Sequence, residues 1–206
     1  MSNKLPNWNL NDFYSSYKDE HISKDLDLFK KSTKSFKKNY KDQLISNSSK
    51  FENIIKEYET INEIGDKLGN YAFLIYATNM DVPDIVKFYQ DINENLTEIS
   101  SDLIFFTNEI NSTSDEEFNN LLNCSGKYSN WLNNIRRFKD HQLDEKSEKI
   151  FLDKNLTANS SWVRFFEEKI NDLKFNINGK DLNSASALNL LSDHDENIRK
   201  KASKSI

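Results

Sequence analysis

The stretch "PDIVKFYQDINENLTEISSDLIFFTNEI", Pro83–Ile110, decides the fold. Its apolar residues Ile85, Tyr89, Ile92, Leu96, Ile99, Leu103, Phe106 and Ile110 recur at alternating steps of four and three. That period lines one face of an α-helix and does not suit a strand, whose faces alternate every two residues. Asp81, Val82, Pro83 and Asp84 read as its start, since proline fits the first turn, where the missing N–H costs nothing. The spacing therefore predicts one helix of about 28 residues, roughly 40 Å long.

Working toward the N-terminus, Ser49 and Glu52 form an S-x-x-E capping box that opens another helix with Phe51, Ile54, Ile55, Tyr58, Ile61, Leu68, Tyr71 and Ile75 on its stripe. Beyond Gly69 the segment "YAFLIYA" is apolar nearly all round, which predicts burial by several neighbours. Before it, residues 19–45 carry Ile22, Leu26, Phe29, Phe36, Tyr40 and Leu44 on one stripe, with Thr33 filling the gap. Residues 1–17 lack a helical period, so Leu5, Trp8, Leu10, Phe13 and Tyr14 read as an extended, docked arm.

Toward the C-terminus, Ser114-Asp115-Glu116-Glu117 is a second capping box opening a short helix with Phe118, Leu121 and Leu122. Tyr128, Trp131, Leu132, Ile135 and Phe138 make another amphipathic piece. A helix comes next around Asp144–Phe151, and a further one from Ser160 or Ser161 carries Trp162, Phe165, Phe166, Ile170 and Leu173. "KFNINGKDL" then alternates about Asn178-Gly179, the dipeptide suited to a type I′ hairpin turn. Helical pattern resumes near Ser184, breaks at Ser192 and restarts with Asp193 as cap and Glu196 three residues on.

The fold class is thus mainly α, a multi-helix bundle with long antiparallel helices and one small β-hairpin near 174–182. The domain division is an arm (1–17), a helical domain (18–173), and a last region (174–206) made of the hairpin and the helices after it. Only 4 Gly and 2 Pro in 206 residues fit long helices, and 14 Phe and 8 Tyr supply material for a core.

The net charge of -5, with only four arginines, argues against a nucleic-acid partner, because the positive charge is neither concentrated nor forked. No apolar run reaches membrane-spanning length and no leader is visible, so no membrane partner is expected and the chain reads as cytoplasmic. Cys124, the single cysteine, excludes an internal disulfide and reads as a packed residue. Four glycines at 65, 69, 126 and 179 cannot build a phosphate loop, and no G-x-S-x-G elbow occurs. His21, His141 and His194 lack the paired spacing of H-E-x-x-H. His141 and Glu145, at i and i+4, are the best metal-ligand pair, and a weak one.

"LPNWNLNDFY" (Leu5–Tyr14) resembles the opening of the oligoendopeptidase F family, thimet oligopeptidase-like zinc metallopeptidases, whose W-x-L-x-D-[LF]-Y signature corresponds to Trp8, Leu10, Asp12, Phe13 and Tyr14. The similarity continues at Leu68–Ile92, Ser100–Asn111 and Trp162–Ala202, in order along nearly the whole chain. The resemblance concerns the N-terminal region only, with residues 174–206 as the start of the region leading into the catalytic domain. It implies a mostly helical peptidase with a deep channel for short peptides, in which zinc activates water and the motif Glu is the general base. The H-E-x-x-H helix lies beyond the matched region, so no catalytic or metal residue is transferred and no cofactor is expected in this chain, zinc being that of the full-length family. The resemblance implies part of the channel wall, with Tyr71, Tyr76 and Tyr89 as candidate lining residues, short peptides as the full-length family's ligands and a separate catalytic half as a partner. A final helix still running at Ile206 is read as an interrupted protein: a gene fragment, a truncated copy or a split subunit. The competing expectation is a stand-alone helical interaction module, since "LLSDHDENIRKKA" resembles part of a HEAT-type repeat, but a repeat must recur about every 40 residues and no second copy is found.

Overall fold

The computed structural model describes residues 8–206. These divide into two compact units, one ending at Leu156 and the other spanning Thr157–Ile206. Leu5 lies outside the described residues.

In the first unit, α1 (Glu20–Tyr40), α2 (Phe51–Ala77) and α3 (Pro83–Ser100) pack on one another, and α4 (Ile104–Ser112), α5 (Asp115–Asn123) and α6 (Ser129–Arg136) continue the bundle. Asp19 caps α1 by accepting the His21 N–H, and the stripe buries Ile22, Phe29, Thr33 and Phe36. Phe36 is fully buried among Tyr40, Tyr58, Phe105 and Phe106, with edge-on contacts to Tyr40 at 4.9 Å and Phe106 at 5.2 Å. Around them gather Phe51, Ile54, Ile55, Leu103, Ile110, Leu121 and Leu132. A smaller cluster of Tyr14, Ile22, Leu68, Tyr71, Ala72 and Ile92 anchors the residues before α1. Tyr14 donates to Asp25 at 2.7 Å, Lys67 reaches the same carboxylate at 2.9 Å, and its ammonium lies 4.4 Å from the centre of the Tyr14 ring. The described part of the arm, residues 8–17, is docked through Tyr14 with Leu10 and Phe13 packed beside it, whereas Trp8 is 79% exposed; it is turned rather than extended, the Phe13 N–H donating to the Leu10 carbonyl at 2.9 Å.

Three further expectations in this unit need correction. The 28-residue helix is two helices, because Ser101–Leu103 tighten into a 3-10 turn. Ser101 is buried and its hydroxyl donates to the Glu98 carbonyl, the kind of local bond with which serine competes for helix backbone. The Ser49–Glu52 box does not form: α2 is preceded by a 3-10 turn at Ser48–Lys50, and the Glu52 N–H donates instead to the Cys124 carbonyl at 3.1 Å. "YAFLIYA" buries Tyr71, Ala72 and Tyr76 but leaves Phe73 exposed. The Ser114–Glu117 box, by contrast, is complete, and Pro83 stands in the first turn of α3.

The helix α7 (Glu145–Thr157) carries the chain to the second unit, whose compact boundary falls ahead of the change of pattern at 174. That unit holds α8 (Asn159–Asp172), the antiparallel strands β1 (Phe175–Ile177) and β2 (Lys180–Leu182), α9 (Ser184–Asn189) and α10 (Glu196–Ser205). Asn178 and Gly179 both adopt positive φ (55° and 76°), as a type I′ turn requires. Ile177, Ala187 and Ala202 form its small core with Phe175, Leu182 and Leu190. The cap of α10 is Asp195, which accepts the Asn197 N–H, and not Asp193. Asp193 instead accepts the Asp195 N–H just ahead of the helix, while its carbonyl takes Arg199 at 2.7 Å.

Candidate functional site

The three tyrosines fall into two groups. Tyr76 of α2 and Tyr89 of α3 stack face to face, 4.5 Å apart with ring planes 10° from parallel, Tyr76 buried and Tyr89 half-buried. Tyr71, buried, meets Tyr14 edge-on at 4.9 Å and Phe88 at 6.2 Å. Burial pushes its phenol above the ordinary value, and Asp19 adds to the effect.

His141 and Glu145 are not brought together as ligands. Glu145 turns to Lys41, whose ammonium contacts both carboxylate oxygens at 2.7 Å, while His141 sits in a 3-10 turn on the rim of a cleft. Among the described residues no group of three His, Cys, Asp or Glu side chains is placed to hold a metal ion. The described residues therefore bring no donor set together that fits the zinc of the family the chain resembles, and no step through zinc is derived from them.

Two neighbouring concavities lie against α4. A helical stripe of Ile104, Thr107, Asn108 and Asn111 lines a cleft of about 370 Å³, together with Ile135 and Phe138. A second cleft of about 420 Å³ shares Asn108, Asn111 and Gln142 with the first and adds Asp42, Glu109, Asp144 and Glu145. The shared residues form an amide relay: Asn111 Nδ2 donates to Gln142 Oε1, Gln142 Nε2 to Asn108 Oδ1, and Asn108 Nδ2 to the Leu143 carbonyl at 3.4 Å. Arg136 fixes the end of α4, donating to the carbonyls of Ile110 (3.2 Å) and Asn111 (2.9 Å), which have no partner inside the helix. Its other branch reaches the Thr113 carbonyl at 3.0 Å and Asp115 at 2.7 Å, holding the Asp115 carboxyl below its usual value.

Electrostatically the second cleft is acidic. Asp42, in the left-handed region at φ 61°, donates its N–H to Glu109 at 2.7 Å. Burial pushes the Glu109 carboxyl up, more than that N–H lowers it, and the carboxylates of Asp42 and Glu145 push the same way. None of Asn108, Asn111, Gln142 or Glu109 was predicted. The signal was the second stripe on α4, at steps of three, one and three, which reads in sequence as an ordinary solvent face.

A family model described as Oligopeptidase F, of the N-terminal part of that family, matches residues 109–175, which include Glu109, Asn111, Arg136 and Gln142. The crystal structure of oligoendopeptidase-F from Enterococcus faecium shares the fold with a TM-score of 0.76 at 20% sequence identity, a likeness of fold at that distance. The match covers 90% of this chain and 38% of that one, so the chain spans well under half the length of the structure it resembles. No curated protein matches the sequence. The resemblance to the N-terminal region of oligoendopeptidase F is thus met twice, by a family model and by a fold. No helix among the described residues is long and apolar enough to cross a membrane.

Proposed function

We propose that this chain is the non-catalytic, N-terminal helical portion of an oligoendopeptidase F-like zinc metallopeptidase and contributes to the wall of a channel that admits short peptides. The observation that carries the reading is the fold match, nearly complete for this chain and partial for the peptidase. The family model on 109–175 supports it from sequence. Hydrolysis is then the work of a zinc-bearing part supplied elsewhere in the enzyme, since H-E-x-x-H does not occur in these 206 residues. Within the wall, Tyr89 is the half-buried ring of the tyrosine set, and the buried Tyr76 stacks on it. A channel of helices would exclude folded proteins by size and hold extended peptides.

The test is a chimera in which this chain replaces the superimposable region of the Enterococcus faecium oligoendopeptidase-F. Zinc-dependent cleavage of a quenched oligopeptide by the chimera, with KM raised by Tyr89→Ala, is the expected result. The isolated chain with zinc is expected not to cleave. Cleavage by the isolated chain that His141→Ala abolishes would overturn the proposal, as would a folded chimera with no activity.

A further inference from the structure

The two clefts beside α4 carry an unused hydrogen-bond acceptor and an under-neutralised carboxylate. The amide relay has a fixed direction because it ends on the Leu143 carbonyl, which can only accept. Asn108 Oδ1 must therefore accept from Gln142, and Gln142 Oε1 from Asn111 Nδ2, which leaves Asn111 Oδ1 facing no donor. Asn111 is 5% exposed, lines both clefts, and its Oδ1 has no hydrogen-bond partner among the described residues. A buried acceptor left this way is costly, and a ligand N–H would relieve it.

The charges around it are unequally satisfied. Glu145 is neutralised by Lys41, and Asp144 accepts the N–H groups of Lys146 and Ser147 and the Ser147 hydroxyl. Glu109 accepts only the Asp42 N–H among the described residues; Asp42 and Glu145 bring negative charge beside it, and the one nearby ammonium acting on it, that of Lys41, is bonded to Glu145. Among the residues lining this cleft Lys139 is the only cation, and it points its ammonium at the Thr113 carbonyl, 3.5 Å away. A metal ion does not suit the site, since no three ligating side chains converge there. The neighbouring cleft offers an apolar wall of Ile104, Ile135 and Phe138, which a bare cation would not use.

We propose that the paired clefts bind an organic ammonium group carrying an apolar side chain, with the ammonium donating to Glu109 and Asn111 Oδ1 and the apolar group lying on Ile104, Ile135 and Phe138. A peptide supplies that chemistry in two ways, through a free α-amino end next to an apolar first side chain or through a lysine beside an apolar residue. Either way this is a non-catalytic site on the helical chain, distinct from the tyrosines of the proposed channel wall and independent of whether the chimera cleaves.

The purified chain is titrated by calorimetry with phenethylammonium chloride and with the neutral phenethyl alcohol, then with Phe-Gly-Gly-amide, its N-acetylated form and N-acetyl-Phe-Lys-amide. The ammonium probe is expected to bind saturably and the alcohol at least about tenfold more weakly, the scale of one charge-assisted hydrogen bond. Glu109→Gln, which keeps the acceptor for Asp42, should weaken the ammonium probe by a similar factor and leave the alcohol unchanged. Phe138→Ser, at a position 66% exposed and so harmless to folding, should weaken both. Binding of Phe-Gly-Gly-amide alone assigns the α-amino end, and binding of N-acetyl-Phe-Lys-amide alone assigns the basic side chain. Equal affinity for ammonium and alcohol, no loss in a folded Glu109→Gln chain, or failure of both cationic peptides overturns the proposal.

Discussion

Gly65 and Gly69 stand one turn apart in α2, and alanine at each should move stability in opposite directions. In a helix interior the exchange is worth about 1 kcal/mol in favour of alanine, because glycine loses more backbone freedom on folding. What differs is the space each new methyl would enter. At Gly65 it would lie 3.0 Å from Cζ and 3.2 Å from Cε2 of Phe29, a rigid ring that is only 2% exposed and hemmed in by the core. Forcing that ring aside is an overpacking cost of about 1–3 kcal/mol, which outweighs the propensity gain and leaves a net loss of about 1 kcal/mol. At Gly69 the methyl would meet only Cδ1 of Leu96, at 3.3 Å, on a half-buried side chain that can give by a few tenths of an ångström. There the propensity gain prevails, with a net stabilisation of about 0.5 kcal/mol. Urea unfolding followed by far-UV circular dichroism and by fluorescence, with Trp131 reporting from beside Tyr58 and Phe106, would show the first midpoint lowered and the second raised. If Gly65→Ala stabilised the chain as much as Gly69→Ala, the Phe29 contact would not be limiting and the reasoning would fail.

Tyr14→Phe keeps the buried ring but removes the hydroxyl that donates to Asp25; since Lys67 still holds that carboxylate, the loss should be about 1–2 kcal/mol, read as a lowered urea midpoint. A variant as stable as the parent would mean that the arm docks through ring packing alone. Glu109→Gln makes a pH-dependent prediction. Because the folded-state carboxyl is raised above its ordinary value of 4.5, its contribution to stability is fully present below that value and is lost as pH rises through the raised one. The midpoint of Glu109→Gln relative to the parent should therefore climb as pH rises through 4.5 and level off only above the raised folded-state value, with Asp42, Lys41 and Glu145 as the neighbouring charges. A difference flat with pH would contradict the burial of Glu109.

Much of the helical pattern was legible because it rests on spacing. The stripe from Ile85 to Ile110 does face the core, and the Asn178-Gly179 turn has the two positive φ values that its residue types favour. What could not be read was set by partners distant in sequence. The first-turn N–H of α2 is satisfied by Cys124, and no local pattern announces a carbonyl from another helix. Likewise Asp193, Asp195 and Glu196 all suit a helix start, and Arg199 folding back onto the Asp193 carbonyl accompanies the choice of Asp195. The candidate cleft joins Asn108 and Asn111 to Gln142 across α5, α6 and a loop, so composition alone could not assemble it.

The break at Ser101–Leu103 connects these failures to the site. The turn keeps one face to the core, since Ile99 before it and Phe106 and Ile110 after it are all buried. On α4, Phe105 is buried at 1% exposure as well as Phe106 and Ile110, although Phe105 lies off the uninterrupted stripe. Once these three side chains occupy the core, the stripe of Ile104, Thr107, Asn108 and Asn111 necessarily borders it, half in and half out. The face that α4 turns to the core is continuous with the stripe of α3 through Leu103, Phe106 and Ile110, and Phe105 widens it. The wall of the cleft is therefore the flank left beside that widened face, which a periodic reading of the stripe alone did not mark.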